Sequence, residues 1–309
     1  MTERDVSGVD SAAMGDFLDT FPGEKEREIT MVPSKAVARD LEDPRNTFLW
    51  GVLPRGIKAL KVKRLSFFDS IGAKKELPEN FAEYRNLVCL SVPLHLVPKL
   101  PATLPDSLRT LIVLSGGTPA ASLPRALALP QLERLFADDI KLTFDPAQVS
   151  NIRSLRVKVT SAKELAMVAG LQKLEGLQIG PVPDAKLWKL LARHPLRRLF
   201  VMRGGLTNLK GVEALENLET LTIKGMNGLV DASAIKGLKK LHEVSFDFCA
   251  NLGDVSFLAT MKSLKAITFW GCSDRKQTIT RSLPALLAAD KVVDSDLLED
   301  LEDADDEDD

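Results

Sequence analysis

The sequence predicts an α/β solenoid of about ten repeats, with one long parallel sheet. One observation is a short apolar unit that recurs about every 22 residues, and another is the strand-like alternation inside each unit. The apolar side chains are also mainly aliphatic, because 45% of the residues are hydrophobic and only 6% are aromatic. A single unit cannot bury its own apolar edge, so neighbouring units must stack into a continuous core.

The repeated unit is Leu-x-x-Leu-x-Val, with apolar residues at its first, fourth and sixth positions. Its copies start at residues 62, 87, 108, 132, 152, 174, 196, 218, 241 and 264, so their spacing stays between 20 and 25 residues. The copy at 132 is weaker, and the first copy has a rival register that starts at Ile57. The alternation predicts a strand whose positions four and six face the core, while positions three, five and seven face the other way.

The ends of the array are predicted to be covered by short caps. We expect a flexible N-terminus and N-terminal cap over residues 1–56, the solenoid over 57–272, a C-terminal cap helix over 273–293 and a disordered acidic tail over 294–309. The N-terminal cap would contain a helix over 34–42 and an apolar plug over 47–50. In the C-terminal cap, Ser282 is the expected N-cap residue.

Two segments between strands are predicted to form helices on the outer side of the solenoid. They cover residues 161–171 and 184–193. Trp188 in the second segment is interpreted as a packing residue.

This array resembles the leucine-rich-repeat family over residues 57–272. Residues 204–270 resemble the 22-residue class of phosphatase-regulatory and internalin-type proteins, whereas residues 97–113 resemble the Leu-Pro-rich repeats of bacterial effector ligases. The resemblance implies a right-handed horseshoe or arc, a ligand on the concave face of the sheet, and a bacterial source. It also implies that Cys249 and Cys272, at position nine, are buried thiols that stabilise turns.

Charge is strongly segregated along the chain. Residues 294–309 hold eleven acids and no base, so the preceding residues carry 32 acids against 41 bases, about +9, although the whole chain has a formal charge of −2. The first residues do not form a secretory signal, no apolar run is long enough for a membrane helix, and three widely separated cysteines give no disulfide framework. These features predict a cytoplasmic protein with no membrane contact.

No motif indicates catalysis, a metal site or a cofactor. Phosphate-binding loops, nucleophile elbows and paired metal-ligand histidines are all missing from the sequence. His95, His194 and His242 lie in different repeat positions and far apart. The sequence therefore predicts a protein that is not an enzyme and has no cofactor.

The concave face is the candidate binding surface. Its fourth to eighth rows combine basic and apolar side chains, a mixture that favours protein interfaces. The candidate partner-binding residues are Arg134, Phe136, Arg156, Lys158, Arg198, Phe200, Met202 and Lys224, with Trp270 expected to stand exposed in the tenth row. The alternative is an ordinarily solvated sheet face whose charges have no role.

The leading functional hypothesis is a monomeric adaptor or inhibitor, of the immunity type, that binds an acidic segment of a partner protein. The acidic tail could compete for the same face, in which case deleting residues 294–309 would tighten partner binding, or it could simply increase solubility. A regulatory subunit of a phosphatase or another enzyme is the alternative function, suggested by the repeat class. Nucleic-acid binding is less favoured, because the basic residues are spread and no stacking platform is apparent.

Overall fold

The computed structural model describes residues 55–66, 76–114, 120–137, 140–182, 185–272 and 278–295. The helix and the apolar plug predicted between residues 34 and 50 lie outside these ranges. So does the acidic segment 296–309.

One long parallel sheet runs through the described part of the chain. It contains eleven strands, each hydrogen-bonded only to its neighbours along the solenoid, and a separate pair of strands, β4 and β6, lies outside it. The strands are β1 (Arg64–Ser66), β2 (Cys89–Pro93), β3 (Thr110–Leu114), β4 (Ala120–Ser122), β5 (Arg134–Ala137), β6 (Lys141–Thr143), β7 (Ser154–Lys158), β8 (Gly176–Gly180), β9 (Arg198–Met202), β10 (Thr220–Lys224), β11 (Glu243–Asp247), β12 (Ala266–Trp270) and β13 (Val292–Ser295).

The predicted repeat register is confirmed. Each of the ten units supplies one strand of the long sheet, and each strand begins at position three of its unit. For the first unit, Arg64 pairs with Cys89, which selects the register that starts at Val62. The rival register is wrong, because Ile57 is 80% exposed in a 3-10 helix. Leucine, isoleucine and valine at the first, fourth and sixth positions fill the core that lies behind the sheet.

Short helices on the convex side connect most of the strands. The predicted outer helices are confirmed as α1 (Ala162–Ala169) and α2 (Lys186–Leu191), and Trp188 is buried in the core as expected. The 3-10 helices span Gly56–Lys61, Phe81–Glu83, Leu94–Lys99, Pro146–Val149, Val212–Ala214, Ser233–Gly237, Ser256–Thr260 and Thr280–Ser282.

The C-terminal end differs from the prediction. A cap helix is present as α3 (Leu283–Ala288), but Ser282 makes no capping hydrogen bond and donates its hydroxyl to the Thr278 carbonyl instead. Beyond α3 the chain adds an eleventh strand, β13, which pairs in parallel with β12. The sheet therefore extends to Ser295 and includes the first two residues of the expected tail.

The cysteines at position nine hold the turns that leave the strands, as expected. Cys249 and Cys272 are buried, and their thiols donate to the carbonyls of Ile223 and Phe246 in the preceding repeats. Burial and the hydrogen bond between the two side chains raise the pKa of Cys249, the hydrogen bond being the larger cause. The Cys249 thiol is therefore kept protonated.

Position two carries a row of alternating charges along the edge where the strands begin. The row runs through six successive repeats, and three ion pairs join its members at 3.6, 2.8 and 2.8 Å. The members are Arg109, Glu133, Arg153, Glu175, Arg197 and Glu219. We call this row the charge ladder.

Candidate functional site

Parallel pairing places the candidate residues in three rows across the concave face, at positions three, five and seven of the repeats. The register pairs Arg134 in turn with Ser154, Gly176 and Arg198, which forms the row at position three. The row at position five contains Phe136, Arg156, Gln178 and Phe200 in the same order. Strands β5, β7, β8 and β9 thus place residues on one face that are up to 64 positions apart in the sequence.

The row at position three has a basic side chain at each end and small residues between them. Arg134 and Arg198 are separated by three strand spacings, about 14 Å. Ser154 and Gly176 occupy the two strands between them, and both are buried.

Positive charge is concentrated around Arg198. The pKa of Arg198 is lowered, first by burial and then by the neighbouring positive charges of Arg197 and Arg134, while Glu219 and Glu175 act in the opposite direction. An arginine remains protonated under all ordinary conditions, so Arg198 carries a partly buried positive charge.

Two candidate residues are less accessible than expected. Phe136 is 4% exposed, so its ring offers little surface to a partner although it lies on the concave side of its strand. The guanidinium carbon of Arg156 lies 6.0 Å from the centre of the Phe136 ring, a cation–π distance, and Arg156 itself is 8% exposed. Phe136 thus packs against Arg156, because the parallel register pairs these two position-five residues on neighbouring strands.

The remaining residues of the middle rows are half-buried on the same face. Lys158, Phe200, Met202 and Lys224 all have this intermediate exposure. Gln178 donates its side-chain amide to the Met202 sulfur at 2.9 Å, which links the rows at positions five and seven. We call the surface formed by the eight middle-row candidates, Arg134, Phe136, Arg156, Lys158, Arg198, Phe200, Met202 and Lys224, the basic patch.

Trp270 is not part of the basic patch. It lies two strands beyond Lys224 in the same row, with Asp247 between them, and its side chain is 53% exposed as expected. Glu243 on the same intervening strand is also exposed. A band of acidic side chains therefore separates Trp270 from the basic residues.

Sequence reasoning missed two residues at position eight. Arg203 and Phe248 adopt positive φ angles of 53° and 51°, and the equivalent positions in the alternate repeats are Gly225 and Gly271, also at positive φ. The signal was available, because a glycine recurs at position eight of two repeats. Arg203 and Phe248 take the same left-handed conformation as these glycines, which is unfavourable for residues that carry a β-carbon.

Within the described ranges, no cluster of three or more histidine, cysteine, aspartate or glutamate side chains is arranged to hold a metal ion. None of the helices in the same ranges has the length and apolar character needed to cross a bilayer.

Comparison with known proteins identifies related folds but no close relative. No protein-family model matches the sequence, and no curated protein matches it. A leucine-rich-repeat protein of Leptospira interrogans is 19% identical, with a TM-score of 0.47 over 77% of this chain. The present chain spans 62% of the length of that protein.

Two further solved structures also contain leucine-rich repeats or belong to internalins. The internalin inlF of Listeria monocytogenes is 15% identical, with a TM-score of 0.45, over 77% of this chain and 74% of the internalin. The leucine-rich repeat domain of the type III effector XopL is 16% identical, with a TM-score of 0.30, over 81% of this chain and 76% of that domain.

The classification of the fold rests on the chain itself. Ten apolar units of matching phase each contribute one strand, at the same positions, to one continuous parallel sheet with the core behind it. Repetition of this kind, with leucine at the buried positions, defines the architecture. The chain is a solenoid of leucine-rich repeats.

Proposed function

We propose that this chain is a non-catalytic, cytoplasmic and monomeric protein-interaction module that binds an acidic segment of a partner protein through the basic patch. Its biological role would be that of an adaptor or an inhibitor. The observation that carries the proposal is the gathering of five basic side chains on neighbouring strands of one face. They are Arg134, Arg156, Lys158, Arg198 and Lys224.

The geometry of the patch suits carboxylates. Arg134 and Arg198 lie at the two ends of one row across four strands, so an extended acidic segment that crosses these strands could contact both. Arginine binds a carboxylate through two parallel hydrogen bonds, which gives direction as well as charge. Arg198 is partly buried, so a carboxylate bound there would be less screened by water than one bound to an exposed arginine.

The apolar members of the patch would supply contact area. Phe200 and Met202 are half-buried on β9, beside Arg198, and Phe136 supports Arg156 from below. Interfaces take most of their binding energy from a few such arginine and aromatic residues near their centre. We therefore expect the affinity to depend on both the charge and the packing of the central strands.

Charge reversal within the patch tests this function. A partner captured from the native lysate would be purified, and its affinity for the chain measured at low and moderate salt. For R198E and R134E we expect a loss of about tenfold or more at low salt, with a smaller loss as salt screens the charges. K163E, an exposed change on α1 at the convex side, is the matched control. Unchanged affinity in both patch variants, with unchanged melting temperature, would contradict the proposal.

A further inference from the structure

Two aromatic side chains stand exposed where strands β11 and β12 end. Phe248 is 46% exposed and Trp270 is 53% exposed, and the two residues are joined by a hydrogen bond from the Phe248 N–H to the Trp270 carbonyl. The Lys224 ammonium lies 5.6 Å from the centre of the Phe248 ring. We call Phe248 and Trp270 the aromatic rim.

The backbone holds Phe248 at the surface in a costly conformation. Its φ of 51° lies in the left-handed region, which disfavours a phenylalanine by roughly 1–2 kcal/mol. The ring lies over the α-carbon of Gly271, because a β-carbon built there would come within 2.5 Å of the ring carbon Cε1. Gly271 thus leaves space for the Phe248 ring, which nevertheless remains 46% exposed. An additional apolar group could bury the rest of this ring.

The chain leaves the sheet next to this rim. In β13, Ser295 pairs with Phe269, so the last described residue lies one position before the level of Trp270. Trp270 is one strand spacing away, about 5 Å, and Phe248 is two, about 10 Å. The segment 296–309 therefore starts within reach of both rings.

The composition of that segment matches the surface. It contains ten acids, and its apolar residues Leu297, Leu298 and Leu301 lie near its start. We propose that the leucines cover the aromatic rim and that the following acids extend across the sheet to the basic patch. The chain's own segment 296–309 would then occupy the concave face.

The distances along the sheet and the charges on it are both consistent with leucines at the aromatic rim and acids at the basic patch. Lys224 lies three strand spacings from β13, about 14 Å, and Arg134 lies seven, about 34 Å. Fourteen extended residues span at most about 50 Å, so the acids can reach the whole patch. Glu243 and Asp247 lie on the way and repel acids, which favours leucines over that part of the face.

The contact between segment 296–309 and the concave face does not depend on the proposed function. Competition of this segment with a partner does rest on the proposed function. A segment bound to the basic patch would compete with an external acidic segment. The deletion suggested by the sequence must begin at residue 296, because residues 294 and 295 belong to β13. Shortening the chain from residue 294 would damage the sheet and obscure any release of the face.

Quenching of Trp270 fluorescence by acrylamide tests the apolar contact in the full chain. The Trp270 contribution is obtained by subtracting the signal of W270F. We expect the triple variant L297S/L298S/L301S to raise the Trp270 quenching constant by about twofold, because it removes the apolar cover and keeps every charge. A304S in the same segment is the matched control and should change nothing. Equal quenching in the intact chain and the triple variant would overturn the proposal.

Carbodiimide cross-linking of the intact chain tests the acidic contact. Carboxylates of residues 302–309 should couple to Lys224 and Lys158 more than to Lys265, which is exposed at the opposite end of β12 from Trp270. High salt should reduce the couplings to the patch by at least about fivefold. Coupling to Lys265 at the same level would mean that the segment has no preferred site, which overturns the proposal. Because neither measurement uses a partner, both can succeed even if the proposed function fails.

Discussion

At the scale of single residues, Glu164 is a buried acid that secures one turn of the solenoid. It is 4% exposed, and it accepts hydrogen bonds from the backbone N–H groups of Thr160 and Ser161 and forms an ion pair with Lys141. Ser161 in turn accepts from the Glu164 N–H, which completes a capping box at the start of α1. One carboxylate therefore fixes both the turn after β7 and the helix that follows it.

The ionisation of Glu164 predicts a pH-dependent stability. Burial would raise the pKa of Glu164, but hydrogen bonds from Lys141 and Thr160 outweigh it and lower the pKa below the ordinary 4.5. The carboxylate therefore stabilises the fold in full above pH 4.5, and this contribution is lost as the pH falls through the lower folded pKa. We expect E164Q to cost about 1–3 kcal/mol at neutral pH.

Thermal melting over a pH series measures this effect. The gap between the chain and E164Q should close as the pH falls below 4.5. E216Q, a change at an exposed acid, is the control and should give a small gap that does not depend on pH. A gap for E164Q that stays constant into acid would show that the side chain acts through its shape and not its charge.

Residue-scale accessibility was the part of the site that sequence could not supply. Alternation correctly placed Phe136 and Arg156 on the concave face, because strand geometry determines which way each side chain points. Their burial depends on contact with side chains of neighbouring strands. The spacing of those strands in the sequence does not indicate how closely their side chains pack. Phe248 escaped notice for a different reason, since position eight lies outside the alternating strand.

At the scale of elements, the charge ladder binds neighbouring repeats at the edge where strands begin. Arg197 is linked to Glu219 by an ion pair of 2.8 Å, and its pKa is raised first by that hydrogen bond, then by the charge of Glu219 and also by Glu175 on the other side. Each interior charge thus has an opposite charge in both adjacent repeats. These pairs are about half exposed, so each contributes little, but the row acts as a network.

Reversing one member of the ladder tests the network. R153E places an acid between Glu133 and Glu175, so we expect a loss of about 0.5–1 kcal/mol that shrinks with added salt. The double variant R153E/E175R restores one opposite pair and should recover part of the stability. The measurement is thermal melting at two salt concentrations. Equal melting of R153E and the unchanged chain at low salt would mean that the ladder has no energetic role.

The eleventh strand shows why the last element was missed. Its unit has Asp290 and Ser295 where the other repeats have apolar residues at positions one and six, so it lacks the leucine pattern. Lys291 is buried beneath it and donates to the carbonyls of Met261 and Leu264. A buried lysine that satisfies two carbonyls depends on tertiary contacts, which no local pattern indicates.

At the scale of the whole molecule, the fold was predictable because the same evidence is repeated ten times. An error in one copy, such as the weak unit at residue 132, is corrected by its neighbours, which must pair with it in register. The candidate site has no such redundancy. Its residues occur once each, and their position on one face followed from the repeat, while their role did not.

Because the charges of the ladder alternate in sign, the charge pattern recurs every two repeats of the solenoid. Excising residues 175–196 would join Leu174 to Arg197 and set Arg153 beside Arg197, whereas excising residues 153–196 would keep opposite charges adjacent. We therefore expect the shorter excision to give a protein that melts at higher temperature when salt is added, and the longer one to show no such gain, although it removes more of the core. Melting curves at low and high salt would show the difference. A natural or engineered array of this type would then gain or lose repeats most easily two at a time.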